Sequence, residues 1–441
     1  MSGRRLIVVL YGRVIGAVER NGGTMSFTYD EEYRASPAAT PLSLSMPIAG
    51  SRYTNRIVEA YLRGLLPDND DVRRRWASEF GIRDRDTFGL IAAIGRDAAG
   101  AAQFIPEDDY PQALTEGSVE PISTKVIAAR LRRLREDGAS WHAQGDHWSL
   151  AGAQSKFTLR ALDSRRGGWG IAHGTEPSTH IIKPGISSIP NQALIEHVSM
   201  RTFAALGLTV AATEYTEFEN EPAIIITRFD RRKRDGVWER IHQEDLCQSF
   251  ALDPSRKYEA DQGPGVQRIG RLLRDVAGPD AVTDFTRAVI ANYLIGAPDA
   301  HAKNFSVLLA SSSVRFASLY DVASGLTASR DGELRYPTSA MSIGGERLFG
   351  NVHGRHWKKF ATAVGISDET VRGWVVELAE RTPDAVSDSI GALPRAIRGG
   401  PELRALPRRI QRLCEMTLHR VDDVSERRLN KAAGRDIVAA G

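Results

Sequence analysis

The stretch Ile295-Gly296-Ala297-Pro298-Asp299-Ala300-His301-Ala302-Lys303-Asn304-Phe305-Ser306, followed after a short apolar passage by Leu319-Tyr320-Asp321, decides how this chain is read. Phosphoryl transfer needs a carboxylate that orients and deprotonates an alcohol, and oxygen ligands for Mg²⁺ that offset charge on the moving phosphate. Asp299, Asn304 and Asp321 are suited to supply that set. Protein kinases place the base and the metal-binding amide five positions apart, with a second metal-binding Asp beyond a short hairpin. Asp299 and Asn304 have that spacing. Residues 305–309 read as a strand, 311–313 as a turn and 314–320 as a second strand, a hairpin that returns Asp321 to the side of Asn304. Taken alone, the spacing also fits a surface loop, because Asp and Asn favour turns.

Working upstream, Trp148-Ser149-Leu150-Ala151-Gly152-Ala153-Gln154-Ser155-Lys156 precedes the apolar run Phe157-Thr158-Leu159, a turn at Arg165-Arg166-Gly167-Gly168, and His180-Ile181-Ile182-Lys183. The pattern is strand, small-residue loop, strand, turn, and a strand ending at a lysine. Small residues let backbone N–H groups approach phosphate oxygens, and a lysine then pairs with the phosphates. With one Gly, the loop also fits an ordinary hairpin turning at Gly152. Glu196, in the apolar-periodic segment Ala193-Leu194-Ile195-Glu196-His197-Val198, is either the helix acid that positions Lys183 or a solvated helix carboxylate.

These segments resemble the HipA family, the serine/threonine kinase toxins of bacterial type II toxin–antitoxin pairs. The resemblance runs along the whole chain. It rests on Leu65-Leu66-Pro67-Asp68-Asn69 with Arg73-Arg74-Arg75-Trp76, the 149–156 loop, Arg228-Phe229-Asp230-Arg231, Gln243-Glu244-Asp245-Leu246-Cys247-Gln248, the 299–304 loop and Tyr320-Asp321. Ser155 stands where the family usually has Glu, which leaves open what that acid does locally. The resemblance implies an α+β, two-lobed, protein-kinase-like fold with an added N-terminal β-rich subdomain and a mainly helical C-lobe. It implies Asp299 as catalytic base, Asn304 and Asp321 as Mg²⁺ ligands, and Lys183 on the ATP phosphates. Further nucleotide contacts would come from Ala151, Gly152, Ala153, Gln154, Ser155 and Lys156, from Thr227, Arg228 and Phe229, from His301, Ala302, Lys303 and Asn304, and from Tyr320 and Asp321. Ser149 matches the family's autophosphorylated serine, whose modification expels the loop and silences the kinase. A near-dianionic phosphate inside a nucleotide-binding loop would repel ATP, so that direction is physically reasonable.

Composition agrees with such an enzyme. The 441 residues are 42% hydrophobic and 26% charged, ordinary globular usage with room for two or three packed units. We expect residues 1–140 to form the N-terminal β-rich subdomain, starting with a hairpin over 6–10 and 14–18. Residues 141–235 would form the kinase N-lobe with the ATP loop, and 236–441 the helical C-lobe with the catalytic loop. In that last part, apolar stripes over 283–294 (Phe285, Val289, Tyr293) and 367–381 (Val371, Trp374, Val375, Leu378, Ala379) predict core-facing helices. The run Leu6–Leu10 is too short for a signal sequence, no apolar run would span a bilayer, and Cys247 and Cys414 give no disulfide framework. The expectation is a cytoplasmic protein without a membrane. His353-Gly354-Arg355-His356 lacks partners at metal-site spacing and reads as a loop.

A net charge of +3 argues against general nucleic-acid binding. The C-terminal stretch is more basic, with Arg395, Arg398, Arg404, Arg408, Arg409, Arg412, Arg420, Arg427, Arg428, Lys431 and Arg435. It is either a solvated face or a surface for phosphate or an acidic partner. The resemblance implies a HipB-like helix-turn-helix antitoxin as partner, with operator DNA reached through that complex by backbone contacts. It also implies that the substrate is an aminoacyl-tRNA synthetase, glutamyl-tRNA synthetase first among them. Two other readings stand beside this one: a small-molecule kinase with the same ATP chemistry, and a noncatalytic repressor subunit. Retention of Lys183, Asp299, Asn304 and Asp321 together weighs against the latter.

Overall fold

A computed structural model describes residues 5–141, 148–163, 167–327, 333–423 and 433–440. The chain divides into two compact units. Unit 1 comprises Met1–Ser187, Glu214–Arg256 and Ser306–Ala317; unit 2 comprises Ser188–Thr213, Lys257–Phe305 and Ser318–Gly441. The fold is a mixture of helix and sheet, with strands dominating the N-terminal part and helices the C-terminal part.

Unit 1 begins with a five-stranded antiparallel sheet in the order Arg52–Thr54, Thr24–Tyr29, Arg13–Asn21, Arg5–Leu10, Ala102–Pro106. The expected hairpin is its centre, and its side chains alternate between faces as strand geometry requires. Leu6, Val8 and Leu10 enter the large core of the unit. Ile7 and Val9 join a small core with Ala17 and Ile105 on the other face. The register slips between Val8 and Val9, opposite Gly16. At φ +155° and with a Cβ that would meet the Thr28 carbonyl oxygen at 2.2 Å, Gly16 is a position where a side chain cannot be added without moving backbone.

A second, six-stranded sheet runs in the order Thr213–Phe218, Glu221–Thr227, His180–Lys183, Phe157–Ala161, Trp169–Gly174, Gly117–Ile122. The expected strand at His180–Lys183 is present, paired antiparallel with Glu221–Thr227 so that Lys183 lies opposite Ile224. The predicted strand around Trp148 is reduced to a single bridge to Asp97. Of the predicted turn at 165–168, Arg165 and Arg166 lie outside the described residues. The hairpin after the catalytic loop forms strands Ser306–Leu309 and Val314–Phe316, joined by a turn in which Ala310 N–H donates to Ser313. It stops short of the expected 320, because Leu319 turns away and pairs with Val210.

Unit 2 is mainly helical. The predicted stripe over 283–294 lies on the helix Pro279–Leu294, with Phe285, Val289 and Tyr293 buried. The helix Asp368–Gly391 is capped by Ser367, whose hydroxyl accepts from Thr370 N–H, and it buries Val371, Val375, Leu378 and Ala379. Trp374 departs from that stripe. It is only half-buried and carries the Arg287 guanidinium 5.7 Å from its ring centre. Glu196, on the helix Gln192–Ala205, is buried and not solvated, because that helix is covered on nearly all sides. The His353 pair is not a loop: His353 begins the helix Gly354–Val364, and its N–H donates to His356 Nδ1 at 3.0 Å in a reciprocal cap.

In the basic C-terminal stretch, several arginines are used internally. Arg409 donates to Leu326 O, Arg398 to Gly391 O, Arg420 to Gly350 O, and Arg435 pairs with Glu333. Arg427, Arg428 and Lys431 lie outside the described residues. Both cysteines are buried and unbridged. Among the described residues no helix is long and apolar enough to cross a membrane.

Candidate active site

In unit 2, the passage from Pro298 to Phe305 is a turn followed by one 3₁₀ turn, Ala302–Asn304. Three bonds fix it. His301 N–H donates to Asp299 O, Asn304 Nδ2 donates to the same carbonyl at 2.7 Å, and Ala302 N–H donates to Lys257 O. The Asn304 amide therefore spends an N–H on the loop backbone, which leaves Oδ1, an oxygen of the kind that ligates hard cations, as its other end. The Asp299 side chain is 55% exposed. Its Oδ1 accepts a hydrogen bond from the Tyr258 hydroxyl and lies 3.6 Å from His301 Nε2. The Tyr258 and His301 rings meet edge to face with centres 4.7 Å apart. Tyr258 is thus a component of the loop that sequence reasoning missed.

The Tyr320 hydroxyl donates to Lys303 O at 2.6 Å, which ties the Tyr320–Asp321 corner to the same loop. Asp321 sits at φ +58°, a left-handed conformation uncommon for a residue with a side chain and concentrated at functional sites. The donor set of Asn304 Oδ1 and the Asp321 carboxylate consists of hard oxygen ligands. Among the described residues no group of three or more His, Cys, Asp or Glu forms a cage. A cation held by one or two side-chain oxygens plus substrate phosphates suits Mg²⁺, so these residues fit the metal that the sequence suggests.

In unit 1, the 148–156 loop is held at each end and at its apex. Ser149 is fully buried, donating from Oγ to Leu65 O at 2.7 Å and from N–H to Asp97 O at 3.0 Å. Gly152 pairs in parallel with Pro67, and its carbonyl accepts from Asp68 N–H. Lys156 folds back to donate to Ala151 O at 2.7 Å, with Nζ 5.3 Å from the Trp141 ring centre. Trp76 packs edge to face against both Trp141 and Trp148. Ser155 donates to Gly138 O at 2.8 Å, which fastens the loop to the backbone just past the helix Thr124–Glu136.

The seat of this loop is the Leu65–Asn69 turn, and Arg73 braces it by donating to Pro67 O and Asp70. The Arg73 side chain is only 13% exposed. Arg73→Ala should loosen the seat, with faster amide exchange over 149–156 and roughly two- to tenfold weaker ATP binding, the worth of about one hydrogen bond. Unchanged exchange in that loop would show that Arg73 does not brace it.

Lys183 ends its strand nine-tenths buried. Thr227 and Phe229 are partly exposed, but Arg228 points inward. Its guanidinium donates to Asp230, Ser178 and Ala98 O, and its N–H donates to Thr179 O. Arg228 is therefore committed to a buried ion cluster with Asp97, Asp230, Arg231 and Arg240. Burial alone would raise the Asp97 carboxyl, yet Arg231, Arg228 and Arg240 outweigh it and hold Asp97 well below the usual carboxylate range. Burial pushes Arg231 down to about 10, and the Arg228 charge adds to that.

A lysine-ended strand beside a small-residue loop, and an Asp299/Asn304 loop with the Tyr320–Asp321 corner tied to it, are the features of a kinase-like protein. Residues 148–386 match the HipA-like C-terminal domain and residues 6–105 the HipA N-terminal domain; the chain belongs to the HipA family. It is 33% identical over 394 residues to the putative kinase Y4mE of Sinorhizobium fredii, covering 88% of this chain and 92% of that one. It is 28% identical over 389 residues to the serine/threonine-protein kinase toxin HipA of Shewanella oneidensis, covering 84% of this chain and 85% of the relative. Among solved structures it is similar to HipA in the Shewanella oneidensis MR-1 complex of HipA, HipB and operator DNA, with 26% identity and a TM-score of 0.81, over 96% of this chain and 100% of the other.

Proposed function

We propose that the chain is an ATP- and Mg²⁺-dependent serine/threonine protein kinase and the toxin of a type II toxin–antitoxin module. The observation that carries the reading is the tied loop in which Asp299, braced by Tyr258, shares a backbone anchor with Asn304 and lies on the segment bonded to Tyr320. Asp299 accepts the proton of a serine hydroxyl as that oxygen bonds to the γ-phosphorus and the bond to the ADP leaving group breaks. Asn304 and Asp321 would hold Mg²⁺, which would supply positive charge for the phosphate oxygens. Lys183 pairs with the phosphates, and the 151–156 loop offers backbone N–H groups to them. Further nucleotide contacts come from Thr227 to Phe229, His301 to Lys303 and Tyr320; for Arg228 the contact is made by backbone, since its guanidinium is spent internally.

Ser149 is the proposed site of autophosphorylation. Because its Oγ is buried against a backbone carbonyl, a phosphate there cannot be housed in place, and the loop has to leave its seat. That links the modification to loss of the nucleotide-binding conformation. The partners proposed are a HipB-like antitoxin and, through it, operator DNA, as in the complex of the Shewanella relative; the site of action is the cytoplasm. The proposed substrate is an aminoacyl-tRNA synthetase, with glutamyl-tRNA synthetase first, whose inhibition slows translation and growth. Incubation of candidate synthetases with the enzyme and labelled ATP tests this. Label above an Asp299→Ala control identifies the target, and absence of label from every synthetase rejects that substrate class.

A further inference from the structure

Apart from the nucleotide and catalytic residues, unit 1 holds a pocket of about 220 Å³ lined by three arginines, Arg232, Arg240 and Arg315. The strand pairing brings them together. Arg232 and Arg240 lie on the two strands of the Arg231–Arg234/Val237–Arg240 hairpin. The chain then enters Gln243–Asp245, which pairs with Ser306–Leu309, and that strand pairs Leu308 with Arg315. The remaining wall is largely apolar, including Tyr11, Ile241 and Leu309. Among the described lining residues there is no carboxylate.

The charge behind this wall does not balance. The buried cluster sets two carboxylates, Asp97 and Asp230, against three guanidiniums, Arg228, Arg231 and Arg240, so 3 − 2 leaves one positive charge over. Arg160, close by, has its own partner in Glu176. Arg228 and Arg231 have their charges met at short range, with Asp230 at 2.8 Å and Asp97 at 2.9 Å. Arg240 is the member left over. It reaches Asp97 only at 3.4 Å, spends one nitrogen on Thr175 O, and its buried Nε has no acceptor among the described residues. Burial pushes its guanidinium down, as expected for a cation short of countercharge. Of its two companions, Arg232 is paired with Glu239, and Arg315 makes no ion pair among the described residues. An uncompensated buried cation is costly, and an oxyanion is the complement that a set of guanidinium forks recognises.

We propose that this pocket is an oxyanion-binding site that takes a phosphoryl or carboxylate group carried on a small apolar body, with Arg315 and Arg240 as its anion contacts and Tyr11, Ile241 and Leu309 as its apolar wall. The proposal rests on unit 1 alone and stands whether or not the chain is a kinase. The test is calorimetric titration of the full chain with phenyl phosphate and, separately, phenylacetate, at low ionic strength, with and without Mg-ADP to fill a nucleotide site. The expected result is one site for at least one probe, unaffected by Mg-ADP and weakened about tenfold in Arg315→Ala, the loss of one charge-assisted bond. The better probe assigns the natural group as phosphate or carboxylate. Arg315 is exposed and unpaired, so its removal leaves the fold intact; Arg240→Lys, which keeps the charge but loses the fork, should also weaken binding. Absence of binding at millimolar probe, displacement by Mg-ADP, or equal affinity in Arg315→Ala would each overturn the proposal.

Discussion

Asp299→Asn is expected to lower phosphate transfer by at least about a hundredfold, the usual contribution of a positioned general base, while ATP affinity stays within a few-fold of the wild type. The separation follows from how the loop is held. The Asn304 amide and the His301 N–H are bonded to the Asp299 backbone carbonyl, which the substitution leaves in place. The new side chain has the same size, and its amide oxygen can still accept from Tyr258. What is lost is the negative charge and, with it, the ability to take up a proton. Because the carboxylate is half exposed, an incoming hydroxyl can reach it without rearrangement of the loop. Steady-state rates and nucleotide titrations on the two proteins make the check. Wild-type turnover in Asp299→Asn would remove Asp299 from the chemistry, and loss of ATP binding would show that its charge serves the nucleotide instead.

The second large effect is on stability. Asp97→Ala should destabilise the protein by about 3–5 kcal/mol, the range for breaking a buried ion pair by removing one partner. Arg231, whose side chain is inaccessible, and Arg228 would then share Asp230 with Arg240, leaving two buried positive charges uncompensated where there is now one. Ser178 would lose its acceptor as well. Denaturant titration measures the change; a loss under about 1 kcal/mol, the surface-pair range, would mean that the cluster relaxes at little cost. The same variant should alter the acid limb. Folded Asp97 holds its proton less tightly than the unfolded chain does, so its contribution is complete above the unfolded carboxylate value of about 3.9 and is lost as pH falls below it toward the depressed folded value. The wild type should therefore lose stability more steeply below about pH 4 than Asp97→Ala.

What could be read from the sequence was whatever lies close along the chain. Asp299 and Asn304 are joined by a hydrogen bond across five positions, and the 306–309 and 314–316 strands follow from local alternation. Phe285, Val289 and Tyr293 fall on one helical face for the same reason. Contacts chosen by tertiary packing left no such trace. Tyr258 meets Asp299 across 41 positions, Ser149 meets Leu65 across 84, and Arg231 meets Asp97 across 134. The motif around Arg228 was visible, but its inward direction depends on Asp97 and Ser178 from distant segments. The sequence left the burial of Glu196 open and put Trp374 on the core-facing stripe, where it is partly exposed, since periodicity reports how apolar a face is and not which neighbour covers it.

The most direct test of the account is the mass of the purified full chain, intact and as peptides, after incubation with Mg-ATP. Phosphate on Ser149 in the wild type and none in Asp299→Ala is the predicted result, since it requires transfer to serine and makes that transfer depend on the assigned base. Equal modification of the Asp299→Ala protein, or a wild type that neither takes up phosphate nor consumes ATP, would contradict it.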